Sequence, residues 1–136
     1  MNYSELKVIM YNEKKTLEEL LRLLEKQYEL IMQKDVFAID KLATDIQNIS
    51  VELAKCEVNR RNVVGEHESM KTLVEESEDI KLKEVYKEVV SLLRLITLQK
   101  DTNETLLKQE LIFTKKIMNI IKPNANVTYN ASGQIK

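Results

Sequence analysis

Apolar residues recur at helical spacing along most of the chain. They follow steps of three and four over residues 3–33, again over 36–64, and a third time from about residue 80 to residue 122. Steps of this size place side chains on one face of an α-helix. The pattern therefore predicts three long helices. Their stripes are Leu6, Met10, Leu17, Leu20, Leu24 and Ile31; then Ile39, Leu42, Ile46, Ile49, Leu53, Cys56, Arg60 and Val63; then Leu82, Val85, Val89, Leu92, Ile96, Gln99, Asn103, Leu106, Glu110, Phe113, Ile117 and Ile120.

Residues that favour helix ends separate these stripes. Asp35 is suited to cap the second helix after a short break at residues 33–34. Gly65 is predicted to end that helix in a left-handed conformation. Ser69 is suited to cap a short helix of one or two turns, and Pro123 cannot continue the last helix.

Polar residues interrupt each apolar stripe. Glu13 and Gln27 are expected near the edges of the first stripe. Arg60 occupies the second stripe. The favoured interpretation is that its aliphatic stem packs on the bundle while the guanidinium stays in water; the alternative is an ion pair or hydrogen bond that fixes the end of the hairpin. Asn103 lies midway along the third, where a buried amide needs partners and can fix helix register.

The predicted fold is all-α. Because few residues join the first two helices, they should form a long antiparallel coiled-coil hairpin within an elongated bundle of three long helices and one short helix. Two glycines and one proline are too few for the turns of a sheet protein. We expect a bundle domain over residues 1–122 and a flexible tail over 123–136, which lacks an apolar stripe.

Composition excludes several classes of function. The 21 basic and 22 acidic residues are interspersed, so no basic surface for nucleic acid is predicted. No run reaches the roughly 18 apolar residues of a membrane span, and no secretion signal is evident, which favours the cytoplasm. A lone Cys56 and a lone His67 supply neither a metal site nor a catalytic set, so we predict no enzyme, no cofactor, no metal and no small-molecule substrate.

Several motifs, taken together in order, resemble the FlgN family of flagellar export chaperones. Leu53, Glu57 and Arg60 match an L-x-x-x-E-x-x-R pattern in the second helix. The last helix carries N-x-x-L-L at Asn103, Leu106 and Leu107, and the tail carries T-Y-x-x-x-G at Thr128, Tyr129 and Gly133. One departure is Lys100, which stands where many family members carry a further Asn, three residues before Asn103.

The resemblance implies a function without catalysis. Such proteins bind the hook–filament junction proteins FlgK and FlgL in the cytoplasm through the partners' C-terminal helical segments. They prevent premature assembly and deliver these partners to the export gate protein FlhA. Helical segments of this kind bury apolar anchors in a helical groove.

The last long helix is the expected binding surface because it carries apolar residues beyond its stripe. The tail is expected to contribute Tyr129 to binding. The predicted structural residues are Arg60, Asn103 and Gly133. The predicted partner-binding residues are Leu107, Leu111, Ile112, Met118, Ile121 and Tyr129; Leu93, Leu95 and Leu98 are further apolar residues outside the stripe. Alternatives are a chaperone of another flagellar substrate, a helical interaction protein of the export apparatus, or a bundle that dimerises through exposed stripe residues.

Overall fold

The structure, a computed structural model, describes residues 2–65 and 69–121. In these residues the chain forms helices and short connections, without a strand. The helices are α1 (Tyr3–Gln33), α2 (Val36–Val64), α3 (Met70–Glu76) and α4 (Ile80–Ile121). The predicted all-α fold of three long helices and one short helix is confirmed. The predicted tail lies outside the described residues.

Side-chain caps fix the helix starts. Asp35 accepts a hydrogen bond from the Ala38 backbone N–H at 3.1 Å, and Ser69 accepts one from Thr72 at 3.2 Å, so both predicted caps are present. Asp79 caps α4 by accepting from the backbone N–H groups of Lys81 and Leu82 at 3.0 and 3.2 Å. Each bond satisfies a backbone donor that the first helical turn leaves without a partner.

The residues that end α1 and α2 both have a positive φ. Lys34, between α1 and α2, adopts the left-handed conformation with φ 58° and ψ 33°, which closes the tight hairpin turn. Gly65 ends α2 with a positive φ of 78° but an extended ψ of −170°, so the prediction of a left-handed helical conformation is wrong. The positive φ still favours glycine, because a Cβ is strained in that region.

The chain divides into two units, Met1–Asn103 and Glu104–Lys136, and α4 runs through the boundary. Within the first unit, α1 and α2 are antiparallel. Arg60 near the end of α2 meets Glu13 near the start of α1, and Cys56 lies 3.8 Å from the Thr16 hydroxyl. These contacts confirm the predicted hairpin.

In the same unit, α1 and the first part of α4 run parallel. Lys7 pairs with Asp79 at 2.8 Å, Lys14 pairs with Glu88 at 2.6 Å, and Asn103 reaches the Leu24 carbonyl. The Lys7 ammonium, together with the backbone N–H groups of the α4 cap, lowers the pKa of Asp79. The apolar core between the helices joins Leu6, Met10, Leu17, Leu20 and Leu24 of α1, Val74 of α3, and Leu82, Val85, Val89 and Ile96 of α4.

The second helix contributes least to this core, although its stripe is the most regular in the sequence. Leu42 is the one buried residue of α2, all of whose residues are described. Ile46, Ile49 and Leu53 are half-buried and pack against the edge of the core. Regular spacing fixes which side chains share a face, but it does not fix how deeply a neighbouring helix covers that face.

Candidate functional site

The part of α4 that follows Asn103 has an uncovered apolar surface. Leu106 and Leu107 are half-buried, and every residue from Leu111 to Ile121 is exposed. Exposure reaches 55% at Leu111 and 69% at Ile121. Exposed apolar side chains so close together are typical of surfaces that bind a partner, so this segment is a candidate binding surface.

These side chains cover roughly half the circumference of the helix, because successive residues are turned by about 100°. We call this surface the open face. Sequence spacing and the helical geometry of this segment place eight residues on it: Leu106, Leu107, Leu111, Phe113, Ile117, Met118, Ile120 and Ile121. A single row at a coiled-coil seam is narrower, so the open face can contact more than one helix of a partner.

Four of the residues predicted to bind a partner form one row on the open face. Leu107, Leu111, Met118 and Ile121 are spaced so that their side chains lie within one sector of α4. Ile112 is also exposed, at 54%, but it points to the opposite side of the helix. The structure therefore brings four of the predicted residues together and separates Ile112 from them. Tyr129 lies outside the described residues.

The spacing of apolar residues did not mark the second row of the open face as a binding surface. Phe113, Ile117 and Ile120 belong to the predicted internal stripe, yet they are 55%, 38% and 73% exposed. Helix length was the available signal: α4 has 42 residues and α1 has 31, so one helix cannot cover the other along its whole length. The extent of an apolar stripe alone could not show where coverage stops.

Charges of both signs lie on or beside the open face, because Glu110 falls within the sector that its apolar residues occupy and two lysines follow it. Between Leu111 and Ile121 the charged residues are Lys115 and Lys116, both exposed. Lys115 lies one turn after Leu111 at the margin of the row, whereas Lys116 lies on the other side of the helix. This segment can therefore bury an apolar helix and attract acidic side chains at its margin.

The predicted structural residue Arg60 forms an ion pair. Its Nε donates a hydrogen bond to a Glu13 carboxylate oxygen at 3.2 Å, and the Glu13 side chain is only 6% exposed. Burial raises the pKa of Glu13, an effect that the Arg60 charge and hydrogen bond partly offset. The structure thus shows the ion pair that was the less favoured of the two interpretations. The expectation that Glu13 lies at a stripe edge is wrong, because a distant arginine makes its burial tolerable.

The predicted structural residue Asn103 is the last buried residue of α4 and is 1% exposed. Its side-chain amide donates to the Leu24 carbonyl and to the Gln27 side-chain oxygen, each at 2.8 Å. Its own oxygen accepts from Gln99 at 3.0 Å. Buried amides need such partners, and here they join α1 to α4 at one register.

A comparison with protein-family models decides the family. The model described as FlgN protein matches residues 1–136, the whole chain. The chain belongs to the FlgN family. No curated protein and no solved structure matches it. Members of the FlgN family are flagellar export chaperones and are not known as enzymes.

The FlgN motifs in this chain fall on residues that make cross-helix or surface contacts. Arg60 pairs with α1, whereas Glu57 of the same motif pairs with Arg61 along the surface of α2 at 2.6 Å. Asn103 lies in the buried network, and Leu106 and Leu107 begin the open face. Thr128, Tyr129 and Gly133 lie outside the described residues.

Two structural features are absent from the described part of the chain. None of the helices within residues 2–65 and 69–121 combines the length and apolar character needed to cross a membrane. The same residues contain no group of three or more His, Cys, Asp or Glu side chains placed to hold a metal ion.

Proposed function

We propose that this chaperone binds the hook–filament junction proteins FlgK and FlgL through the open face of α4. The observation that supports this proposal is the set of exposed apolar side chains on that face. The C-terminal segments of the junction proteins are expected to be amphipathic helices. Such helices present apolar anchors at spacings of three and four residues, which match the spacing on the open face.

Binding is favourable because each partner covers exposed apolar surface of the other. An unassembled junction protein exposes apolar residues that otherwise lead to aggregation, and the open face is exposed in the same way. Burying a Leu, Ile, Phe or Met side chain completely contributes about 1.5–3 kcal/mol, and these side chains are already partly covered. Association entropy offsets much of the sum, so we expect a reversible complex of micromolar affinity.

Delivery is the second part of the proposal. The residues from 123 to 136, with Tyr129 as the aromatic contact, engage the cargo or the export gate protein FlhA, and the cycle takes place in the cytoplasm. Support for this part comes from the T-Y-x-x-x-G motif shared with the FlgN family. An aromatic side chain is suited to the role because it buries a large area at low conformational cost.

The test for cargo binding is fluorescence anisotropy with labelled peptides from the C-terminal segments of FlgK and FlgL. A Leu111→Asp/Met118→Asp variant places two charges in the proposed interface and should weaken binding at least about 100-fold. Leu98→Asp is the matched control, because Leu98 is a 66% exposed leucine of the same helix outside the open face. Equal affinity of the double variant and the control would contradict the proposed site.

A further inference from the structure

The helices of the first unit differ in how deeply they are buried. Eight residues of α1 and five of α4 are buried, whereas α2 contributes Leu42 alone. The α2 stripe from Ile46 to Val63 is half-buried along its length. The free energy of detaching a helix rises with the apolar area that becomes exposed. Of the three long helices, α2 therefore contributes the fewest buried side chains of its own to the core.

The α1 and α2 backbones run close together along the hairpin, but the polar side-chain contacts between helices differ in where they lie. α1 and α4 supply most of the buried core, with α2 residues packed against it, and they also share two ion pairs and the Asn103 network. Two side-chain contacts of α2 with α1 lie close together near the end of α2. These are the Arg60–Glu13 ion pair at 3.2 Å and the contact between the Cys56 sulfur and the Thr16 hydroxyl at 3.8 Å.

From this contrast we propose that α2 opens from α1 as a unit while α1 and the first part of α4 stay packed, and that the Glu13–Arg60 pair is the latch. The proposal concerns the first unit and does not depend on the proposed function. Opening returns both Glu13 and Arg60 to water. Loss of Arg60 therefore destabilises only the closed state, in which the Glu13 carboxylate stays buried without its cation. The same opening uncovers apolar residues of α1 that α2 had covered.

The test is native-state hydrogen exchange, read by mass spectrometry on the full chain. In the wild type, amides across α2 should share one opening free energy, and it should lie below that of α1 residues 10–24 and α4 residues 82–96. Arg60→Ala should accelerate exchange across α2 by at least about tenfold, with a smaller change in α1 and α4.

Arg61→Ala is the matched control. Arg61 is the next residue, but its partner is Glu57 on the surface of the same helix. The control should leave α2 exchange within about twofold of the wild type. A second variant, Arg60→Lys, keeps the positive charge and should give an intermediate rate.

Two results would overturn the proposal. One is equal protection of α2, α1 and α4 in the wild type, which would make the first unit a single cooperative block. The other is an equal effect of Arg60→Ala and Arg61→Ala on α2. Failure of the chaperone to bind FlgK or FlgL would leave these exchange results unchanged, so the two proposals fail independently.

Discussion

Asn103 provides the sharpest test of how α4 is held against α1. Replacing it with alanine removes two donated hydrogen bonds of 2.8 Å and one accepted bond of 3.0 Å from a site that is 1% exposed. Each such bond contributes about 0.5–1.5 kcal/mol net. The Leu24 carbonyl keeps its own helical partner, and Gln27 and Gln99 are half-buried and can reach water.

The sum of these effects is a loss of about 2–3 kcal/mol in the free energy of unfolding, including the small cavity left by the missing amide. Urea unfolding followed by circular dichroism measures this loss. If the urea dependence is about 1.5 kcal/mol per molar, the midpoint should fall by about 1–2 M. The loss is large compared with typical surface substitutions, which change stability by about 0.5 kcal/mol or less.

Asn119→Ala is the matched control for this experiment. Asn119 is an exposed asparagine of the same helix, so its replacement should leave the midpoint nearly unchanged. If Asn103→Ala and Asn119→Ala unfold at the same urea concentration, the buried network does not stabilise the fold. The argument that Asn103 fixes the register of α4 would then be refuted.

Three further predictions concern Glu13, Cys56 and residues 123–136. Burial raises the pKa of Glu13 in the folded protein above its ordinary 4.5. The contribution of Glu13 to stability is therefore fully present at a pH below its pKa in the unfolded chain, and it is lost as the pH rises through its pKa in the folded protein. The stability of the wild type relative to Glu13→Gln, measured by urea unfolding, should therefore fall as pH is raised from about 4 towards neutrality, and a constant difference would contradict this. Thr16→Cys should form a disulfide with Cys56 under mild oxidation, since the Thr16 hydroxyl oxygen and the Cys56 sulfur are 3.8 Å apart. The disulfide should raise the free energy of unfolding by about 3–4 kcal/mol over the reduced form. An unchanged unfolding midpoint after confirmed oxidation would count against this packing. Deletion of residues 123–136 should leave helicity and the unfolding midpoint unchanged while reducing delivery of cargo to the export gate, and a large drop in the midpoint would show that the tail stabilises the bundle.

Local signals in the sequence were sufficient to predict the helices. The first helix was expected over residues 3–33 and is Tyr3–Gln33 in the structure. Asp35 and Ser69 were expected as caps and accept the corresponding backbone hydrogen bonds. Periodicity and capping depend on residues within a few positions of one another, so a single sequence carries them.

Contacts between helices were harder to predict because they depend on distant residues. Nothing near Glu13 indicates that Arg60, 47 residues later, will lie beside it. The partners of Asn103 on α1 are 76 and 79 residues away. Both pairings require the register of one helix against another, which the spacing within each helix does not contain.

The extent of coverage was the other missing quantity. The stripe on α4 continues through Phe113, Ile117 and Ile120 with the same spacing as its buried part. Periodicity therefore predicted one seam, whereas the structure leaves these residues exposed. The sequence identified the row from Leu107 to Ile121 as a candidate surface, and the structure adds the second row that makes the open face wide.

The most direct test of the central claim is a methyl NMR titration of the intact chaperone with the C-terminal segment of FlgK or FlgL. Leucine, isoleucine and methionine methyl groups report each surface separately. The account predicts that signals of Leu111, Met118 and Ile121 shift or broaden as the segment is added, while those of exposed Leu93 and Leu98 and buried Leu17 stay in place. Shifts confined to Leu93 and Leu98, with the open-face signals unchanged at saturation, would contradict it.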